Sequence, residues 1–349
     1  MKKVNHMEIR QILLCILLLA LSANCVANKS SSNERDNNLK TAPVNKMASK
    51  EACELLDVLY AVKPGTIISG QHNYPCTISE TTDEAKTITG YYPTVWGQDF
   101  GFSSNDKDGI ECRDKIIQEA INRHKKGHII TLMWHAVRPI DNEPGGWKES
   151  VQNDLTDEQW KNLVTPGTNL HKQWLVQLDV IAEYLKVLRD KDIPVLWRPY
   201  HEMNGDWFWW GKKKGTEGYV KLWRNMYNYF THHHKLNNLL WVWNANEIRN
   251  DNIGPYSEYF PGLDVVDVLA TDVYQANYAK HDYIKLKKLA QGKPIAIGEC
   301  GPLPGVEVID EQPDWVWFMC WARFLSRNNT NQKIHEVYNN SKVLKLEDM

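Results

Sequence analysis

Apolar residues along this chain fall into two alternating patterns. Short, nearly continuous runs rich in β-branched residues recur at Thr66–Gly70, Thr94–Gly97, His128–Trp134, Pro194–Trp197, Leu239–Trp243, Val265–Ala270, Pro294–Ile297 and Trp317–Trp321. Such runs suit parallel strands covered on both faces. Between them lie helical stripes. Trp174, Leu178, Ile181, Leu185 and Leu188 recur at spacings of four and three, as do Tyr219, Leu222, Trp223, Met226 and Phe230. Thr216 is placed to cap the second helix, and Gly127 to end a helix carrying Ile117, Ala120 and Ile121. Eight strands alternating with helices predict a single (β/α)8 barrel of the TIM type, class α/β. A doubly wound open sheet is the runner-up, but no Gly-rich phosphate loop follows the first strand.

The N-terminus departs from this alternation. Lys2, Lys3 and Arg10 precede an apolar run from Ile12 to Leu21, too short to span a bilayer as a mature helix. Residues 1–25 are therefore expected to be a signal peptide, and the protein to be exported. Two cleavage readings stand: Leu21-Ser-Ala-Asn-Cys25 resembles a bacterial lipobox that would leave Cys25 as a lipidated first residue, and the small residues Ala23 to Ala27 suit ordinary signal peptidase. A lipid anchor would place the protein in the periplasm or at the outer membrane. A polar tether is expected over 26–48, with the barrel from 49 to 349.

With 349 residues and 42% hydrophobic content, the chain can bury one large core. A formal net charge of −2 offers no field for nucleic acid or an anionic membrane. A neutral polymer is the easier partner, and the 15 Trp residues supply flat apolar surfaces for uncharged rings. Outside the leader region, Cys53, Cys76, Cys112, Cys300 and Cys320 form neither a C-x-x-C pair nor an even framework. One disulfide is compatible with export, and the spacing does not name it.

Chemistry concentrates in two places. Arg198-Pro-Tyr-His-Glu-Met-Asn-Gly-Asp-Trp-Phe-Trp-Trp-Gly211 begins where the fourth apolar run ends. Polar groups beside an aromatic wall are costly to bury, and they suit a carboxyl whose pKa must rise to donate a proton near neutrality. Lys293-Pro-Ile-Ala-Ile-Gly-Glu299-Cys-Gly-Pro ends the seventh run with a carboxylate. Two Glu residues at the ends of strands four and seven would face one barrel mouth, the arrangement that glycosidic cleavage requires.

Together with Ser69-Gly-Gln-His72, Trp96-Gly-Gln-Asp-Phe100, Thr131-Leu-Met-Trp-His135, Tyr219-Val-Lys-Leu-Trp-Arg224, Thr271-Asp-Val-Tyr274 and Trp321, these segments resemble glycoside hydrolase family 26, chiefly β-mannanases, from about residue 50 onward. The resemblance implies a retaining double displacement on mannan, with Glu202 as acid/base and Glu299 as nucleophile. It also implies that His201 hydrogen-bonds in the site, that Tyr274 holds the nucleophile, and that Arg198 is its basic neighbour. Trp207 and Trp321 would line the subsite of the sugar being cut, and His135 would touch substrate. Trp96, Asp99 and Trp147 are candidates for outer contacts. No cofactor or metal is implied, the partner is a β-mannan, and a monomer is expected. Two alternatives stand beside it: the same mechanism on β-1,3-xylan or mixed-linkage β-glucan, and a non-catalytic glycan-binding lipoprotein.

Several clusters read more plainly. His232-His-His234 is expected to be a solvated helix end, and Trp197, Trp223, Trp241 and Trp243 to be packing. Asp264, Asp267 and Asp272 are expected to cap turns or support Tyr274. The connection from Ala136 to Leu170, rich in turn formers and carrying Trp147 and Trp160, should lie over the barrel mouth.

Overall fold

The computed structural model describes residues 41–349. The expected leader, its cleavage site, Cys25 and most of the tether lie outside the described residues. The runs of apolar sequence do become parallel strands: β1 (Ile67–Ile68), β2 (Gly70–His72), β3 (Val95–Asp99), β4 (Ile129–Trp134), β5 (Val195–Pro199), β6 (Leu239–Asn246), β7 (Val268–Val273), β8 (Ile295–Cys300), β9 (Trp315–Cys320) and β10 (Val343–Leu344). Each of the strands from β3 to β9 is buried along its whole length. Neighbours from β2 to β9 pair in order and in parallel, and β9 pairs with both β8 and β2, which closes the barrel. β1 and β2 share the first barrel position, and the short β10 lies parallel beside β1. The open-sheet alternative is thereby excluded.

The helices are α1 (Lys50–Ala61), α2 (Glu80–Thr89), α3 (Arg113–Lys125), α4 (Asp157–Val164), α5 (Asn169–Arg189), α6 (Tyr219–Asn228), α7 (Lys280–Ala290), α8 (Val306–Glu311), α9 (Phe324–Asn328) and α10 (Asn331–Tyr338). The expected stripe on α5 is buried, and Thr168 caps that helix by accepting from His171 N–H. Gly127 follows α3 at φ 95°, as a chain-reversing residue should. Thr216 does not cap α6. Residues 213–218 fold into their own turn, with Tyr219 N–H on the Lys213 carbonyl, so Gly218 takes the capping position.

Two apolar layers result. One joins strands to the surrounding helices. The other fills the barrel's lower end with Leu196, Leu240, Val268, Ala270 and Ala296, and α1 closes it from beneath with Ala52, Leu55, Leu56 and Leu59. The segment before α1 is also tied in, since Asp267 accepts from Val44 N–H at 2.7 Å and Asn45 donates to Asn237 at 3.1 Å. Packing thus begins a few residues ahead of the expected boundary at 49.

Trp197, Trp223, Trp241 and Trp243 are fully buried, the packing role expected of them. Asp264 pairs with Arg224, and Asp267 accepts from Trp241 N–H. The three-histidine run is only partly solvated. His232 and His233 are exposed, but His234 is buried with Nε2 2.8 Å from Asp179, because the helix end there widens into a π turn over Tyr229–His233.

Candidate active site

Parallel strands bring all their C-terminal ends to one face, so polar residues at those ends converge. They converge here on a cleft of about 790 Å³ lined by His135, His201, Glu202, Trp207, Tyr274, Glu299 and Trp321. Arg198 lies beneath this surface, buried against Glu299. Trp147 also lines the cleft, half-buried, with its ring 5.2 Å from that of His135 and 5.8 Å from that of Phe208.

The chain reaches Glu202 by a sharp turn after β5. Tyr200 and Glu202 have φ of 47° and 55°, a region that costs a non-glycine residue about 1–3 kcal/mol. The turn is held by Glu202 N–H on the Asn244 carbonyl, 2.8 Å away. It points a carboxyl into the mouth that a regular strand end would aim elsewhere. Gly205 completes the turn, since a Cβ there would lie 2.2 Å from the Trp207 ring.

Glu202 is 8% exposed. Its Oε1 accepts from Asn246 Nδ2 and its Oε2 from Trp207 Nε1, both at 2.6 Å. Burial, followed by the charge of Glu299, pushes its pKa up to about 7, and the two hydrogen bonds pull the other way without prevailing. A proton donor near neutrality is the outcome.

Glu299 stands at the end of β8, where the β7–β8 register shifts between Thr271 and Asp272. Such a shift re-aims side chains at a sheet's rim. Arg198 Nη2 forms an ion pair with Glu299 Oε1 at 2.7 Å, Tyr274 O–H donates to Oε2, and His201 Nε2 lies 3.7 Å from Oε1. Burial, then the nearby carboxylates, raises the Tyr274 pKa well above the ordinary phenol value, so it keeps the proton it donates. Asp272 sits below, 3.8 Å from Arg198 Nη1. His201, Asp272 and Glu299 could converge on a cation. The Arg198 guanidinium already supplies that charge between the two carboxyls.

Two sequence-based assignments change, and one residue is added. Trp96 does not reach the cleft; it is buried and donates to Ser79 at 3.0 Å. Asp99 is buried below the cleft wall, with Oδ2 2.6 Å from His135 Nδ1. Asn246, which no motif singled out, bonds Glu202 directly. Its signal was available, because Trp243-Asn-Ala-Asn246 ends an apolar run in polar residues. A disulfide joins Cys76 to Cys112, linking the loops after β2 and β3, and Cys300 and Cys320 are buried free thiols.

The family profile described as Glycosyl hydrolase family 26 matches residues 44–348. A mannan endo-1,4-β-mannosidase of Thermothelomyces thermophilus is 31% identical over 316 residues, which is 87% of this chain and 62% of that protein. One of Bacillus subtilis is 30% identical, covering 74% of each chain. The chain spans 53% of the related Caldalkalibacillus mannanilyticus protein, so some relatives are considerably longer. Among solved structures, GH26A from Muricauda sp. superposes with a TM-score of 0.84 at 44% identity, covering 87% of this chain and 99% of that one. A β-mannanase from a symbiotic protist of the termite Reticulitermes speratus, complexed with gluco-manno-oligosaccharide, superposes with a TM-score of 0.76 at 29% identity, covering 88% and 97%.

Proposed function

This chain belongs to glycosyl hydrolase family 26, and from that premise we propose that it is a retaining endo-β-1,4-mannanase. The observation that carries the reading is the pairing of two unlike carboxyls in one cleft. Glu202 holds a proton near neutrality, while Glu299 is gripped by Arg198 and Tyr274. Glu202 protonates the leaving glycosidic oxygen as Glu299 attacks the anomeric carbon, and a glycosyl–enzyme ester forms. Glu202, now ionised, then takes a proton from water, which attacks the same carbon and releases Glu299. Two inversions give net retention.

Mannan is favoured as substrate because the similar curated proteins are named for that activity. Tyr74, Trp207 and Phe324 line the cleft with aromatic faces on which successive rings of a sugar chain can dock, which favours internal cleavage. Export belongs to the same proposal, since a polymer too large to enter a cell must be cut outside it, and the lipobox-like Leu21-Ser-Ala-Asn-Cys25 makes Cys25 the proposed anchor.

The test is hydrolysis of galactomannan, glucomannan and xylan by the purified chain, with proton NMR of the first product. New reducing ends on both mannans with the β-anomer appearing first are expected, and Glu299→Ala should lose at least about 10⁴-fold in kcat with its fold intact. Cleavage of xylan alone, early α-anomer, or near-native turnover by Glu299→Ala would overturn the reading.

A further inference from the structure

Three imidazoles pack around the cleft floor, and their surroundings differ sharply. His72 is buried with no protein partner on either ring nitrogen and stacks under Trp321 at 4.0 Å. His201 has no partner on Nδ1, and its Nε2 faces Glu299. His135 alone of the three faces a dedicated carboxylate. Asp99 Oδ2 lies 2.6 Å from its Nδ1, while Asp99 Oδ1 accepts from the backbone N–H groups of Gly101 and His135, each at 3.1 Å. The carboxylate is thus fixed from three directions, and it does not line the cleft. With Nδ1 turned towards Asp99, the opposite edge of the ring is the one that His135 presents to the cleft.

We propose that Asp99 is a positioning residue that holds His135 as an imidazolium, so that Nε2–H is a permanent hydrogen-bond donor to a hydroxyl of the bound sugar. The inference rests on the glycosidase reading for its ligand but not for its charge state. A neutral imidazole giving its Nδ1 proton to Asp99 would offer a bare Nε2, an acceptor. Only the cation donates on both edges. One proton therefore decides the polarity of the contact, and Asp99 decides the proton.

The electrostatics of the pocket agree. Burial opposes charge on His135, but Asp99, then Glu299 and Asp108, raise its pKa above the ordinary imidazole value. Burial likewise opposes charge on Asp99, and His135 draws its pKa below the usual range. His72 and His201 move the other way. Burial and the charges of Arg198 and His135 push both well below the ordinary value and leave them neutral. The groups facing His135 are therefore Asp99 from β3, Asp108 from the loop after it, His72 from β2, His201 and Glu202 from the segment after β5, and Glu299 from β8. Arg198 is occupied by Glu299. Phe102, Trp147, Phe208 and Trp321 pack around the rest of the ring.

The test is ¹⁵N NMR of the full chain labelled at histidine, with His135→Gln supplying the assignment, alongside steady-state kinetics on mannohexaose. Both His135 ring nitrogens should carry protons at pH 7 in the wild type. In Asp99→Asn the ring should be neutral at that pH, and KM should rise about tenfold, the usual scale for losing one charge-assisted hydrogen bond. A neutral His135 in the wild type at pH 7 overturns the inference, whether or not the variant folds. So does an Asp99→Asn protein with unchanged ring shifts. A chain that cuts no glycan but keeps the charged His135 would sink the glycosidase reading and leave the charge assignment standing.

Discussion

Glu202 and Glu299 are identical in covalent chemistry and differ only in what surrounds them. Arg198 and Tyr274 grip Glu299, whereas an indole and an amide meet Glu202 inside an apolar wall. The second arrangement has a thermodynamic signature. A Glu in the unfolded chain titrates near 4.5, whereas Glu202 in the folded protein titrates near 7. Between these values the folded state holds a proton that the unfolded chain has released, so raising pH through this window costs stability, on the order of 3 kcal/mol in all. Above about pH 7 the cost is complete and the contribution is flat. Glu202→Gln cannot titrate. Its Tm relative to wild type should therefore climb from pH 4.5 to 7 and then level off, as followed by calorimetry across that range. A difference independent of pH would mean that Glu202 does not hold its proton. At this scale the sequence was most legible where chemistry and backbone coincide. Glu202 and Glu299 stand at strand ends, where polar residues have few structural uses. Asp99 was visible as a buried-run carboxylate but was read as a sugar contact, because adjacency in sequence does not tell which histidine a carboxylate will face across two strands.

The elements show the same division. Strands buried on both faces must be apolar throughout, so their existence was readable. Their ends were less so. The sixth barrel strand was expected at Val265–Ala270 and runs over Val268–Val273, because Thr271 and Asp272, polar residues near its end, still pair with the neighbouring strand. Helix α1 could be seen as amphipathic at most; that its apolar face would plug the barrel floor depends on the floor being there. The connection from Ala136 to Leu170 is not a loose loop. It contains a π turn over Trp147–Val151 and helix α4, whose Thr156 and Gln159 form a capping box. It is fastened to the segment after β5 by Trp209, which donates its backbone N–H to Val151 and its Nε1–H to Ala136. Trp160 is buried and donates to Glu217, while Trp147 turns to the cleft. Trp147→Ala should therefore raise KM for long mannooligosaccharides about tenfold and leave short ones nearly unchanged. Its melting point should fall by less than the loss of about 3–5 kcal/mol typical of a fully buried Trp would produce. A large drop in Tm with unchanged KM would make the ring packing alone.

Across the whole molecule, the barrel and the cleft wall are held by different means. The barrel rests on two apolar layers and a closed ring of strand pairs. One side of the mouth rests on loops that are tied to each other covalently. Those after β2 and β3 are joined by Cys76–Cys112, by Cys76 N–H on the Lys107 carbonyl, and by the Lys107 ammonium 3.7 Å above the Tyr74 ring. The same two loops supply Tyr74, Phe102 and Asp108 to the cleft. Which cysteines pair was beyond the sequence, since it depends on two loops meeting across the mouth. Replacing both by Ser should lower stability by about 4 kcal/mol in the chain-entropy account. It should leave far-ultraviolet circular dichroism unchanged and raise KM more than it lowers kcat; equal loss of both, or loss of the barrel signal, would contradict this. Scaffold and wall thus mature on separate clocks. Water drives the first to completion, while the second waits for an oxidant. Molecules made among excess thiols would share one architecture with their oxidised siblings, show the same secondary structure, melt earlier, and grip their polymer less well.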